Sequence, residues 1–365
     1  MNIAFYIDEM NYRGVANSTY QFAFQNQKIL KNKSLIFYNK KNYRNQKDVI
    51  NKFKKKFKVI ETSYFKEIEN YKDKLSIDYI YVQKSGEKND LYSSKIKTLV
   101  HSVYPQKLNQ IHGYRYLYIS KWLSKNFSNN KISFVPLITE VAKIKSNLKK
   151  QLKISKDKLI FGCYGGESSF DLKFVQSAII DIVKKREDIV FIFLNINKFY
   201  NHRQIKFFKG TLNENFKKKF INTCDAMIYG RSLGESFGLS CGEFALANKR
   251  IISYKFNRHR SHCLNISAND LIEYNSYNSL VKIFLNFKKK PFKIQNNYKD
   301  YSKNKVMTNF KNNFLKNKQN ITFSFWDYLI NYQGFVKMGY YYLRHKLYSH
   351  YFHYFENRFF KRNIK

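Results

Sequence analysis

The sequence predicts an α/β protein made of two doubly wound, parallel-sheet domains with closing C-terminal helices. Three observations carry that prediction. Short apolar runs alternate with helical stretches from the first residues onward, the alternation stops once in a lysine-rich segment and then restarts, and residues 296–365 lose strand character. A chain of 365 residues is long enough for two domains, since domains run to about 150 residues and each can then close its own core.

Residues 2–7 (NIAFYI) read as a buried first strand that runs into Asp8, Glu9 and the loop Asn11-Tyr12-Arg13-Gly14. A helix over 16–30 follows, with Tyr20, Ala23, Phe24, Gln27 and Leu30 near helical spacing, and residues 34–38 (SLIFY) form the next strand. This β-α-β unit implies a parallel sheet. Strands at 58–62, 79–83, 98–103, 116–120 and 132–135 complete a first domain over 1–137. Residues 138–157 repeat lysine with no apolar strand and read as a connector with a short helix. The pattern restarts with strand 159–164, helix 170–185, strands 189–195 and 205–208, helix 212–222, strand 226–229, helix 237–247 and strand 250–254. A second, Rossmann-type domain over 158–295 follows, and residues 296–365 are returning helices with a basic, aromatic tail. No internal repeat of fixed period is present.

Composition narrows the class. Lys and Arg number 67 against 26 Asp and Glu, a net charge of +41, and the apolar fraction of 44% excludes a disordered basic tail. Abundant Lys, Asn, Ile, Phe and Tyr together are also what an AT-rich coding sequence writes, so charge alone does not identify a partner. Cys163, Cys224, Cys241 and Cys263 contain no C-x-x-C pair, which speaks against a zinc site or a disulfide scaffold and fits a reducing cytoplasm. Acidic Asp8 and Glu9 stand where an export signal needs apolar residues, and Asp327 and several amides interrupt 319–336, the best candidate for a membrane span.

The densest chemistry lies in residues 224–254, CDAMIYGRSLGESFGLSCGEFALANKRIISY. A strand, a glycine-rich loop and a helix start occur there in order. Gly234 and Gly238 permit tight turns, and the amides of Gly238, Leu239 and Ser240 are the unpaired donors of a new helix, suited to a phosphate. Glu243 lies about 8 Å into that helix, a reach that suits ribose hydroxyls, while Glu235 in the loop can touch a sugar.

The string Gly234-Glu235-Ser236-Phe237-Gly238-Leu239, followed by Glu243, Ala245 and Ala247, resembles the retaining GT-B glycosyltransferases of the E-x(7)-E type. In that architecture two Rossmann-like domains have parallel sheets facing across a cleft that holds a nucleotide sugar. The resemblance implies that Glu235 contacts donor-sugar hydroxyls, Glu243 the ribose, and the backbone from Phe237 to Leu239 the donor phosphate and sugar. It further implies a glycine loop at Gly14, beside Arg13, that approaches the donor phosphate or the acceptor, and a His whose ring or neighbouring backbone meets the transferred sugar at His101, with His112 a weaker candidate. The family's Arg and Lys after the first strand of the second domain are not matched. Gly166 and Glu167 stand near the Arg position, and Lys173 arrives late, so Arg231 is the favoured substitute for the missing cation, with Lys173 next and the Arg258-His259-Arg260 run after it.

The chemistry this implies needs few groups. A nucleoside diphosphate leaves the anomeric carbon, so cations and helix amides aimed at the departing oxygen lower the barrier most. No metal is expected, because the chain has no D-x-D triplet and no His/Cys cluster. The expected co-substrates are a nucleotide sugar and a glycan or lipid-linked acceptor, in surface polysaccharide or glycolipid synthesis. Residues 335–365 interleave aromatic and basic residues with one acid, Glu356; an interfacial helix on an anionic membrane surface and a closing helix packed on the first domain both fit this composition. Two other functions stay open from sequence: an inactive GT-B-like binding module, and a basic aromatic protein that binds RNA or single strands. The second lacks any RNP-like, KH or helix-turn-helix string, and no nucleic-acid partner is expected.

Overall fold

The computed structural model describes residues 1–141, 146–289, 292–316 and 321–349. The chain forms two compact units: Met1–Thr139 with Asp300–Phe335, and Glu140–Lys299 with the segment from Val336 onward.

The first unit holds β1 (Asn2–Ile7), β2 (Lys33–Asn39), β3 (Lys58–Thr62), β4 (Tyr79–Lys84), β5 (Lys97–Ser102) and β6 (Arg115–Tyr118). They form one parallel sheet in the order β3-β2-β1-β4-β5-β6, the doubly wound order whose strand sequence reverses beside β1. Five of six residues in β1 are buried, as expected of a strand covered on both faces. Helices α1 (Gly14–Lys28), α2 (Lys47–Lys54) and α3 (Lys121–Ser128) connect strands. The predicted strand at 132–135 is not one: Phe134 makes a single parallel bridge to Tyr118, because Asn129 and Asn130, both at positive φ, turn the chain just before it and Pro136 follows.

The second unit repeats the plan. Strands β7 (Leu159–Tyr164), β8 (Ile189–Leu194), β9 (Ile205–Phe208) and β10 (Ala226–Tyr229) come first; β11 (Gly234–Glu235), β12 (Arg250–Tyr254), β13 (His259–Arg260) and β14 (Leu271–Tyr274) follow. The main sheet is parallel in the order β14-β12-β10-β7-β8-β9, and β11 and β13 pair separately. Helices α4 (Lys173–Lys185), α5 (Glu214–Thr223), α6 (Leu239–Leu246), α7 (Ser261–Asn265) and α8 (Tyr277–Asn286) connect or follow these strands. The helix expected from 170 starts at Lys173, since Phe170 and Leu172 are buried as loop anchors. Described residues 146–157 form turns instead of the expected short helix; Leu148 is pinned there by its amide on Thr223 Oγ1 at 2.8 Å.

Helices α9 (Lys303–Phe310) and α10 (Phe325–Leu347) end the described chain. Residues 300–335 return to the first unit, where Phe310 and Phe314 pack on Phe22, Tyr81 and His101 at ring distances of 5.1–5.9 Å. No helix among the described residues is long and apolar enough to cross a membrane. The tail beyond residue 349, half of the stretch expected at a membrane surface, lies outside the described residues.

Candidate functional site

In doubly wound sheets ligands bind outside the carboxyl ends of the strands, near the point where strand order reverses. In the second unit that point lies between β7 and β10, and the loops that leave these strands carry Gly166 and residues 230–238.

The loop after β10 is held from several sides. Its Arg231 carbonyl accepts from Asn257 Nδ2 at 2.5 Å, and the Ser232 amide and hydroxyl both donate to Asp171, at 2.7 and 2.8 Å. Gly234 sits at φ +73°, where a Cβ would run into the His259 carbonyl, so this loop closes only on glycine. Glu235 follows on β11. Its Oε1 accepts from Tyr229 Oη at 2.8 Å and from Arg231 Nη1 at 3.4 Å. Arg231 is therefore placed against Glu235, four residues on, as a fixed cation beside that carboxylate.

Gly238 adopts φ +89° and opens α6. The first intrahelical bond is Gly242 N to Gly238 O, 2.9 Å, which leaves the amides of Leu239, Ser240 and Cys241 ahead of the helical ladder. Phe237 is buried, and Tyr298 Oη donates to its carbonyl at 2.9 Å. A Cβ on Gly238 would come within 2.9 Å of the same hydroxyl. Tyr298 thus sets the height of the loop against α6.

Glu243 is 8% exposed. Its Oε1 accepts from Lys217 Nζ at 3.1 Å, and Lys217 also pairs with Glu214 at 3.1 Å. Its Oε2 is buried without a hydrogen-bond partner. Burial pushes the carboxyl up from 4.5 to about 8, and Lys217, close enough to favour the charged form, opposes that shift.

The remaining expected residues are less tightly placed. Gly166 has open space where a Cβ would stand. Lys173 is the exposed first residue of α4, with only a 3.5 Å contact to Gln176. Arg260 is ion-paired with Glu273 at 2.6 Å and His259 is buried, which takes both away from a ligand role; Arg258 lies over the Tyr342 ring, 5.3 Å from its centroid. In the first unit Gly14 is exposed at the start of α1.

His101 corrects an expectation. It is fully buried, its Nε2–H donates to the Val135 carbonyl at 2.8 Å, and its Nδ1 accepts from Tyr81 Oη at 2.6 Å. Burial lowers its pKa to about 3. Both nitrogens are committed and rings surround it, so the imidazole ring is a core group, and of the expected contact only the neighbouring backbone is left. His112 is similar in kind: Nδ1–H donates to the Gln110 carbonyl at 2.7 Å, and Nε2 accepts from Lys84 at 3.1 Å.

Sequence reasoning did not find Lys217, Tyr229 or Tyr298. No lysine stands out among 67 Lys and Arg, and neither tyrosine among 30; only packing separates them from the background.

Comparison with known proteins places this geometry. No family model matches the sequence, and no curated protein matches it either. Solved structures do match over nearly the whole chain. A glycosyltransferase from Rickettsia africae superposes with a TM-score of 0.60 at 13% identity, over 85% of this chain and 94% of that one. Anabaena HepE, solved with UDP and glucose, gives 0.59 at 10% identity over 93% and 99%. The fold is GT-B. Neisseria meningitidis UDP-GlcNAc 2-epimerase, bound to UDP-GlcNAc, gives 0.54 at 11% identity over 87% and 100%, so glycosyltransferases and epimerases share this architecture.

Proposed function

We propose that the chain is a glycosyltransferase that moves a hexose from a nucleoside-diphosphate sugar to a glycan or lipid-linked acceptor, with retention and without a metal ion. The observation that carries the proposal is one loop in the second unit. It presents a left-handed glycine, the free first amides of an eight-residue helix, and Glu235 and Glu243, each with one oxygen already fixed by a neighbour. Fold neighbours solved with UDP and glucose or with UDP-GlcNAc support it.

In this reading the amides of Leu239 and Ser240 take the diphosphate at the positive end of α6. The open space at Gly166 leaves room for the same group, and Lys173 supplies charge nearby. Tyr229 and Arg231 hold Glu235 Oε1, so Oε2 accepts from donor-sugar hydroxyls. Lys217 holds Glu243 Oε1, and a ribose hydroxyl satisfies the buried Oε2, a group that is costly to leave unmet. The bond from the anomeric carbon to the diphosphate breaks with its electron pair on the phosphate oxygen. The acceptor oxygen bonds to the same face of the sugar and passes its proton to that departing oxygen. Gly14 contributes a glycine loop that approaches the donor phosphate. The enzyme works at the cytoplasmic face of a membrane, as a peripheral protein in surface polysaccharide or glycolipid synthesis, through residues 335–365; exposed Val336, Tyr340, Leu343 and Leu347 on α10 support that placement.

Calorimetry against UDP, GDP, ADP and CMP, with and without magnesium, tests the donor site. One nucleoside diphosphate binds without metal, and Glu243→Ala abolishes that binding. Binding by no nucleotide, or equal binding by Glu243→Ala, refutes the site. A second reading, epimerisation of a UDP-sugar, is favoured by the epimerase neighbours. Conversion of UDP-GlcNAc in the absence of any acceptor, followed by NMR, selects it over transfer.

A further inference from the structure

The second unit contains a pocket of about 230 Å³ lined by Ser232, Arg258, Tyr342, His345 and Lys346. Residues 342, 345 and 346 share one face of α10 by their spacing. The Arg258 guanidinium lies 5.3 Å from the Tyr342 ring centroid and the Lys346 ammonium 5.7 Å from the same centroid. Two cations therefore converge on one ring.

Among the described residues no carboxylate pairs with either. Those on the neighbouring loops are committed: Glu235 to Tyr229 and Arg231, Glu273 to Arg260, and Asp171 to Ser232. A third cation, Arg344, two residues along α10 from both Tyr342 and Lys346, stacks on Phe256 at 4.6 Å. Like charges held together with no carboxylate between them among the described residues repel, and a tetrahedral anion with several acceptor oxygens relieves that repulsion while matching the guanidinium fork.

We propose that this pocket binds a phosphoryl group, as a second anion site beside the candidate donor loop. Because Ser232 directly follows Arg231, the site borders that loop without using Glu243 or the amides of α6. Two sources carry the same chemistry: a free phosphate, or the phosphate of a lipid. The proposal stands on the pocket itself and does not require the donor reading.

The experiment compares wild type, Arg258→Gln, Lys346→Gln and a control, Lys337→Gln, which removes an exposed charge of α10 outside the pocket. One arm measures thermal stabilisation by inorganic phosphate against chloride at equal ionic strength. The other measures sedimentation with phosphatidylcholine vesicles, with and without phosphatidylglycerol. Loss of one charged hydrogen bond weakens binding about tenfold or more. If Arg258→Gln and Lys346→Gln lose at least that in the phosphate arm, the source is a free phosphate; if they lose it only in the vesicle arm, the source is a lipid. The proposal is overturned if both variants match wild type in both arms, or if Lys337→Gln loses as much. UDP calorimetry on the same variants and on Glu243→Ala keeps this result separate from the donor site, since Glu243→Ala leaves the phosphate response intact.

Discussion

Replacing Glu243 with Gln tests how dry the floor of the candidate site is. The carboxyl stands at about 8 in the folded protein against 4.5 ordinarily, because of burial. Below pH 4.5 the group is protonated folded or unfolded and contributes no pH dependence. As pH rises from there, the unfolded chain ionises first and the folded one lags, so stability falls until about pH 8 and then levels. The ceiling on that loss is about 5 kcal/mol. The Lys217 contact at 3.1 Å favours the ionised form and, at about 1.5–3 kcal/mol for a charged hydrogen bond, reduces the net loss to about 2–3.5 kcal/mol. Glutamine keeps the shape and cannot ionise. Urea midpoints of wild type and Glu243→Gln, measured from pH 4.5 to 9, therefore diverge: the variant gains on wild type by about 2–3.5 kcal/mol as pH rises. All other groups titrate equally in both proteins and cancel. Parallel pH profiles would show that Glu243 ionises as in water, and that its buried, half-satisfied state is not real.

Gly234→Ala puts a side chain at φ +73° against the His259 carbonyl and costs at least about 2 kcal/mol, read from the urea midpoint. His101→Ala leaves a cavity and orphans Tyr81 Oη, lowering stability by about 2–4 kcal/mol, while calorimetry on the folded protein gives unchanged nucleotide affinity. Tyr298→Phe removes the hydrogen bond to the Phe237 carbonyl; about 1 kcal/mol is lost, and the loop before α6 exchanges amide hydrogens faster than in wild type.

The architecture was legible because fully covered parallel strands read as continuous apolar runs such as NIAFYI and IVFIFL. Element edges were less so. The run at 132–135 has strand composition, yet two positive-φ asparagines and a proline leave it one bridge. The Gly234 to Glu243 loop was legible because its backbone demands glycine at fixed places. What escaped were side chains supplied from a distance: Lys217 lies 26 residues from Glu243, and Tyr298 lies 61 from Phe237. His101 looked chemical at the end of a strand, but Phe22, Tyr81 and Phe314 close over it, and Phe314 arrives from far along the chain.

That late arrival has a consequence for synthesis. The first unit is interrupted by Glu140–Lys299 and completed by Asp300–Phe335, so its core rings wait for Phe310 and Phe314. At about 5–20 residues per second, a ribosome needs roughly 10–30 s to make the intervening residues. Over that interval Phe22 and Tyr81 have no cover from the returning segment, while the strands and helices of the second unit through α8 are made. Completion is thus interleaved: the first unit closes only with Asp300–Phe335, and the second takes its own last segment, from Val336, after that. A gene fragment ending near residue 139 encodes a whole sheet without its covering segment, and one covering 140–299 likewise lacks the segment that starts at Val336.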